Sequence, residues 1–472
     1  MAAEKIKEQK NSNQRNASAR SGNELIDFDK FHSALRAINL LNCQGYVIRV
    51  SGLTVESSGP KLGVGELCEI NIRSGNNVLA EVVGFHEDRL VLLPLEHIGG
   101  ISPGDTVTSR TSPRYISLSD KILGRVLNGL GEPIDGLGPL DGTDKAALDA
   151  SSPPALSRKK ITQPLALGIR SIDGMLTCGR GQRVGIFAGS GVGKSVLLGD
   201  IANSSEADVN VVALIGERGR EVREFLEENL GPEGLAKSVV IIAASDSPPI
   251  QRVKAAFVAV TIAEYFRDKG KNVLFMMDSF TRFAQAQREI GLAAGEPPAA
   301  KGYCPSVFAM MPRLVERLGN SEHGSITGIL TVLVENDDLS DPVADSARSL
   351  LDGHIVLSRK LTDRGHFPAV DILSSVSRLM PVVVSKEHKL AAQKIREIYA
   401  TYLDAEDLIN IGAFAAGSNR RIDGAIALID RLKGFLVQPV RERTAFNETV
   451  NRLVALAGVW DELLTVNVVG KK

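Results

Sequence analysis

The chain has 472 residues, 43% of them hydrophobic and 24% charged, with 55 Lys and Arg set against 56 Asp and Glu. This length predicts two or three domains of roughly 100–200 residues each. The composition excludes a disordered chain, and the net charge of -1 excludes a strongly basic, polyanion-binding protein overall.

Residues 1–24 are polar, carry no periodicity and read as a mobile tail, with five basic and two acidic residues up to Asn23. The tail either stays solvated or touches anionic lipid or RNA. No apolar signal core precedes it and no apolar run reaches about 18 residues, so neither a secretion signal nor a transmembrane helix is expected. The four cysteines, Cys43, Cys68, Cys178 and Cys304, are far apart and form no C-x-x-C pair, which fits a reduced cytosolic compartment without zinc or disulfides.

Phe28, Phe31, Leu35, Ile38 and Leu41 recur at helical spacing. This stripe either packs on its own domain or docks a partner protein. Short β-branched runs then follow: Tyr46-Val-Ile-Arg-Val, Leu53-Thr-Val, Leu67-Cys-Glu-Ile-Asn-Ile, Val78-Leu-Ala-Glu-Val-Val and Leu90-Val-Leu-Leu. Turn residues separate them, so 25–112 is expected to hold the amphipathic helix and a small barrel. Over 113–385 apolar runs alternate with helical stretches, at Val184, Val209, Val239, Val273, Ile326 and His354. That pattern predicts a parallel sheet buried on both faces. From 386 to 472 the pattern is helical, with Ile422, Ala425, Ile426, Ile429 and Leu432 on one face and Gly434 as the expected stop.

The strongest motif is Ala188-Gly-Ser-Gly-Val-Gly-Lys-Ser195, between a strand and a helix. Gly189, Gly191 and Gly193 allow turns that aim N–H groups inward, with Ser190 and Val192 between them. The helix entered through Ser195 and Val196 adds its N-terminal partial positive charge. Lys194 is placed to reach the β- and γ-phosphates of a nucleotide, and Ser195 to offer a hydroxyl to Mg²⁺. Ala188 stands where the strict pattern has Gly.

About 85 residues further on, Val273-Leu-Phe-Met-Met-Asp278 is an apolar strand ending in a carboxylate suited to Mg²⁺. Between the two lies Gly216-Glu-Arg-Gly-Arg-Glu221, at the carboxyl end of another strand, the edge where open parallel sheets bind ligands. Glu217, the second residue after that strand, is the candidate for orienting an attacking water. A surface salt-bridge loop is the alternative.

These residues resemble the catalytic subunits of the rotary ATP synthase superfamily. So do Gly124-Arg-Val-Leu-Asn-Gly-Leu-Gly-Glu-Pro-Ile-Asp-Gly136 and Asp278-Ser-Phe-Thr-Arg-Phe-Ala-Gln-Ala-Gln-Arg-Glu289. Within it the chain is most similar to the type III secretion ATPases, especially those of flagellar export. Lys301-Gly-Tyr-Cys-Pro-Ser-Val-Phe308 and Asp341-Pro-Val-Ala-Asp-Ser-Ala-Arg-Ser-Leu-Leu-Asp-Gly-His-Ile-Val-Leu-Ser-Arg359 carry that likeness. The resemblance spans roughly 45–450. It implies an α/β fold: a RecA-like P-loop ATPase core with an N-terminal small β-barrel domain and a C-terminal helical domain. It also implies Mg-ATP hydrolysis in a cytoplasmic homohexamer, peripheral at the inner face of the membrane.

Carried over by position, Lys194 and Ser195 are phosphate-loop ligands, Glu217 is the catalytic carboxylate and Asp278 the metal-linked one. Arg218 contacts phosphate, Glu221 the metal-bound waters, and Arg282 braces the site. Arg378, closing Val370-Asp-Ile-Leu-Ser-Ser-Val-Ser-Arg378, is implied to be an arginine finger for the neighbouring subunit. Phe367 and Phe446 are implied as the two aromatic walls around adenine. Position 440 is Val where the synthase has an aromatic, which implies a looser pocket. Since Glu217 and Arg378 share one chain, a ring of identical copies completes every site.

The implied partners are a stator-like regulator on the Phe28–Leu41 helix, a stalk-like central subunit, the export gate, and export chaperones with their substrates. No specific nucleic acid is expected. Three readings compete: an injectisome ATPase, a rotary synthase subunit that needs a second chain type, and a Rho-like RNA translocase. The chain's neutrality and its few barrel aromatics argue against the last.

Overall fold

The computed structural model describes residues 44–73, 75, 77–96, 99–110, 115–334 and 341–465. The polar tail 1–24 and the Phe28–Leu41 stripe lie outside the described residues.

Six strands close a barrel in the order β1-β2-β5-β4-β3-β6. They are β1 (Gln44–Ser51), β2 (Thr54–Ser57), β3 (Leu67–Asn71), β4 (Asn77–His86), β5 (Arg89–Pro94) and β6 (Thr106–Arg110). Alternate residues point inward, as strand geometry requires. Cys68 and Ile70, then Val78, Ala80 and Val82, then Leu90 and Leu92 fill the interior. The strand β6 was not among the runs quoted above. Only Val107 of its five residues joins the barrel core, so composition hardly marks it.

The centre of the molecule is a nine-stranded sheet. Its strands are β7 (Val126–Asn128), β8 (Arg183–Ala188), β9 (Val209–Ile215), β10 (Ser238–Ala243), β11 (Asn272–Asp278), β12 (Ser325–Leu333), β13 (Gly353–Leu357) and β14 (Val370–Ser377). The order is β14-β13-β8-β12-β11-β9-β10-β7, and Gly319–Asn320 pairs beside β12. From β13 to β7 all neighbours along this order are parallel, while β14 runs antiparallel to β13. Every residue of β9 is buried, as expected of a strand covered on both faces.

One face is covered by α1 (Arg170–Met175), α2 (Lys194–Ser204) and the C-terminal helices, in a core that includes Ile172, Leu197, Ile201 and Ile355. The other face carries α4 (Pro249–Asp268) and α5 (Phe280–Ala293) over Val211, Ala213 and Phe275. Between them in sequence, α3 (Gly219–Glu224) runs directly into a π-helical turn, Phe225–Leu230. Such turns frequently mark functional sites.

The C-terminal region consists of α6 (Lys386–Asn410), α7 (Arg420–Leu436) and α8 (Phe446–Thr465). Ser385 caps α6 by accepting the His388 N–H at 3.2 Å. The sequence placed a stop at Gly434, but α7 continues to Leu436. Phe435 and Leu436 are buried in the same core as Leu428 and Leu432, so packing carries the helix past the glycine. The buried face also differs from the one expected: Leu428 is inside, whereas Ile422 and Ile426 are only partly covered.

Candidate active site

Because the central strands are parallel, their carboxyl ends meet at one edge. Ala188 pairs in register with both Leu333 and Leu357, and Leu214 with Asp278. The phosphate-loop motif leaves β8 at this edge and enters α2 at Lys194. Gly191 and Gly193 have φ of +78° and +84°, a conformation that side chains with a Cβ rarely adopt. This is the twisted backbone that the motif's glycines call for, with Lys194 and Ser195 in the first turn of the helix. Arg359, two residues past β13, donates from Nη2 to the Ser190 carbonyl at 3.2 Å and braces the loop from outside.

Lys194 stands between two carboxylates. Its Nζ is 2.6 Å from Asp278 Oδ1 and 3.5 Å from Glu217 Oε1. All three side chains are largely buried. Thr331 Oγ1 donates to Asp278 Oδ1 at 2.7 Å and fixes that carboxylate. Burial, together with the Asp278 charge, pushes the Glu217 carboxyl up to about 7, from an ordinary 4.5. Glu221 is held below the ordinary range, chiefly by a hydrogen bond from Glu217. Burial works against the Lys194 ammonium, but Asp278 and Glu217 outweigh it and its pKa is raised. Two carboxylates and an ammonium on a phosphate-binding turn are suited to hold a polyphosphate and to orient a water against it.

Gly216 has φ of +71°, and a Cβ there would lie 2.8 Å from the Arg282 side chain. Arg282 thus packs its stem against the turn that presents Glu217, while its Nη1 donates to Gln285 at 2.8 Å. Arg218, at the start of α3, is exposed and pairs with Glu221 at 3.3 Å.

The base-sized cavity lies beside α2. It measures about 270 Å³ and is lined by Ile169, Val192, Val196, Leu197, Phe367 and Val440, among others. Gly193, Pro439 and Gln438 complete much of the wall. Phe367 stands where the resemblance placed an aromatic wall. Phe446 does not line the cavity: as the first residue of α8 it faces His388, ring centroids 5.9 Å apart. Val440, 59% exposed, stands in the wall instead. The pocket is therefore aromatic on one side only.

Arg378 is not part of this cluster. Gly353 pairs with Ser377, whereas the other end of β13, at Leu357, pairs with Ala188 beside the phosphate loop. Antiparallel β14 therefore carries Arg378 to the far end of the sheet, where it is exposed and donates to the Arg348 carbonyl at 3.1 Å. It has no reach to the Lys194 of its own chain.

Thr331, Arg359 and Gln438 were not singled out from the sequence. Thr331 offered one signal, being a polar residue two positions before the end of an apolar strand.

Comparison with known proteins shows the family. The profile of the ATP synthase alpha/beta family nucleotide-binding domain matches residues 168–377, and that of its beta-barrel domain matches 47–110. The profile of the T3SS EscN ATPase C-terminal domain matches 384–455. The chain is 51% identical over 416 residues to the flagellum-specific ATP synthase of Bacillus subtilis, covering 88% of this chain and 95% of that one. The solved structure of the assembled ATPase EscN from the enteropathogenic E. coli type III secretion system superposes with a TM-score of 0.84. It is 45% identical and covers 88% of this chain and 100% of that one. EscN in complex with its central stalk EscO superposes at 0.81 with the same identity and coverage. The barrel, the RecA-like core, the helical end and the phosphate-loop cluster thus place this chain in the ATP synthase alpha/beta family, in its branch of flagellum-specific and type III secretion ATPases.

Proposed function

We propose that the chain is the Mg-ATP-hydrolysing motor of a flagellar type III protein export apparatus, active as a homohexameric ring peripheral to the membrane. The observation that carries this reading is the separation of Arg378 from a nearly complete phosphate site. The cluster of Lys194, Glu217 and Asp278 would hold phosphate and position water. A copy of Arg378 from the neighbouring subunit would then stabilise charge on the transferring phosphoryl group. The assembled EscN structure supports the ring, and EscN with EscO supports a central stalk partner. A regulator on the Phe28–Leu41 stripe, export chaperones, their substrates and the export gate are the further partners of this reading.

The donor set fits Mg²⁺. Ser195 and Asp278 would supply oxygen ligands, and Glu221 would reach the metal-bound waters. Few protein ligands beside substrate phosphates are what Mg²⁺ prefers. The ion would neutralise charge on the phosphate oxygens. Among the described residues no helix is long and apolar enough to cross a membrane, which suits a peripheral rather than a spanning protein.

The test is a mixing experiment. Glu217→Gln and Arg378→Ala are each expected to be inactive alone. Mixed in equal amounts, they should regain about a quarter of wild-type turnover, because random rings contain interfaces with an intact Glu217 facing an intact Arg378. No recovery from the mixture would refute trans action.

A further inference from the structure

The cavity beside α2 is walled on one side by the segment joining α7 to α8, and that segment is fastened at both ends. At one end is Gln438, which is 5% exposed. Its backbone N–H donates to the Phe367 carbonyl at 2.9 Å. Its side-chain oxygen accepts the Arg170 N–H at 2.8 Å. Its side-chain nitrogen donates to the carbonyls of Gly168 at 2.8 Å and Glu442 at 2.6 Å. Gln438 lines the cavity, but both its amide protons and one oxygen lone pair are committed elsewhere, so it shapes the pocket more than it reads a ligand.

At the other end is Arg441, with φ of +65°. Arginine has no intrinsic preference for this region, and such a residue persists only where its surroundings hold it. Two contacts do so. The Arg441 N–H donates to Asp200 Oδ1 on α2 at 3.1 Å, and Nη2 donates to the Glu228 carbonyl in the π-helical turn at 2.6 Å. Asp200 itself lines the cavity. The turn containing Glu228 continues the helix that begins beside Glu217 and carries Glu221.

We propose that Gln438 and Arg441 are positioning residues that hold the Pro439–Val440 wall against the nucleotide base. Through Arg441 the same wall is tied to the phosphate-loop helix and to the helix bearing Glu221. The base is then gripped by a segment belonging to the C-terminal helices, while the phosphates meet the loop after β8, the first turn of α2 and the carboxylates at the sheet edge. The Arg441 contacts reach α2 at Asp200 and the turn at Glu228, beyond the phosphate-binding residues, so loosening the wall should lower base affinity and leave phosphate affinity in place.

The experiment uses the full chain and two ligands that report on the two supports: ATP, through KM and kcat, and inorganic triphosphate, through its Ki as a competitive inhibitor. Arg441→Ala, which loses the guanidinium contact, is expected to raise KM for ATP about tenfold. It should leave kcat within about twofold and the Ki of inorganic triphosphate unchanged. Arg441→Gly relieves the backbone conformation but also loses the guanidinium, and should raise KM in the same direction. Gln438→Glu, which keeps the shape and loses both donors, should show the same split. Parallel rises in KM and Ki would mean a general loss of structure and would overturn the proposal. So would an unchanged KM in both Arg441 variants. Arg441 is exposed, so its variants decide the matter even where Gln438→Glu fails to fold.

Discussion

The phosphate end and the base end of the site are built in opposite ways. The phosphate end is polar, buried and local: Lys194, Glu217 and Asp278 leave three strands of one sheet at one edge and meet within 3.5 Å. The base end is apolar and partly open, and is assembled from segments near 169, 192–200, 367–369 and 438–440. The first draws its energy from fixed charges that matter most when phosphate is present. The second draws it from contact area, which acts on substrate and transition state alike. Damage at the first should therefore appear in kcat, and damage at the second in KM.

The largest expected effect is at the polar end. Glu217→Gln should lower kcat by about 10³ or more while nucleotide binding changes less than about threefold. Steady-state kinetics beside equilibrium binding of a fluorescent ATP analogue measure both numbers. A loss of binding as large as the loss of turnover would erase the contrast between the two ends. At the base end, Phe367→Ala should raise KM for ATP about tenfold with kcat nearly unchanged, since one aromatic face contributes about 1.5 kcal/mol. A fall in kcat instead would show that the base wall acts on chemistry.

Protonation sharpens the contrast further. On the proposed role of Glu217, its carboxyl, raised to about 7, has to ionise to orient water, so kcat/KM should fall about tenfold per pH unit below that midpoint. Its ionised form is disfavoured by folding, so the stability cost appears as pH rises from the ordinary carboxylate value of 4.5 towards 7. Glu217→Gln should accordingly melt higher than the wild type at pH 8, with the gap closing below pH 4.5. A melting comparison at the two pH values checks the sign. The smallest expected effect belongs to Val440→Phe, which adds the missing second ring and should lower KM by about threefold. An unchanged KM would mean that the wall at Val440 stands too far from the base.

The same contrast governs what the sequence discloses. The phosphate end is legible because Ala188–Ser195 is contiguous and because Glu217 and Asp278 each follow an apolar strand, a position that parallel sheets reserve for ligands. The base end is legible only at Phe367 and Val440, which the family resemblance singled out and which line the cavity. Its other residues are mostly ordinary aliphatics from distant segments, and Phe446 lies away from the cavity because α8 begins there and turns its ring towards His388. The barrel and the sheet follow from alternation and from continuous apolar runs. The three-residue β7 is too short to declare itself, and Gly434 misled because helix packing overrode a local stop signal. The position of Arg378 depends on β14 running against β13, a pairing direction that no spacing in the sequence encodes.

That reversed strand has a kinetic consequence on the proposed reading. If Arg378 acts on a neighbouring copy, a dispersed copy would bind nucleotide without the charge that completes the reaction, and would idle with its ligand in place. Turnover would then grow faster than linearly with protein concentration, because productive sites would number with encounters and not with molecules. One antiparallel pairing at the sheet edge would thus make hydrolysis a property of gathered copies and not of the pool.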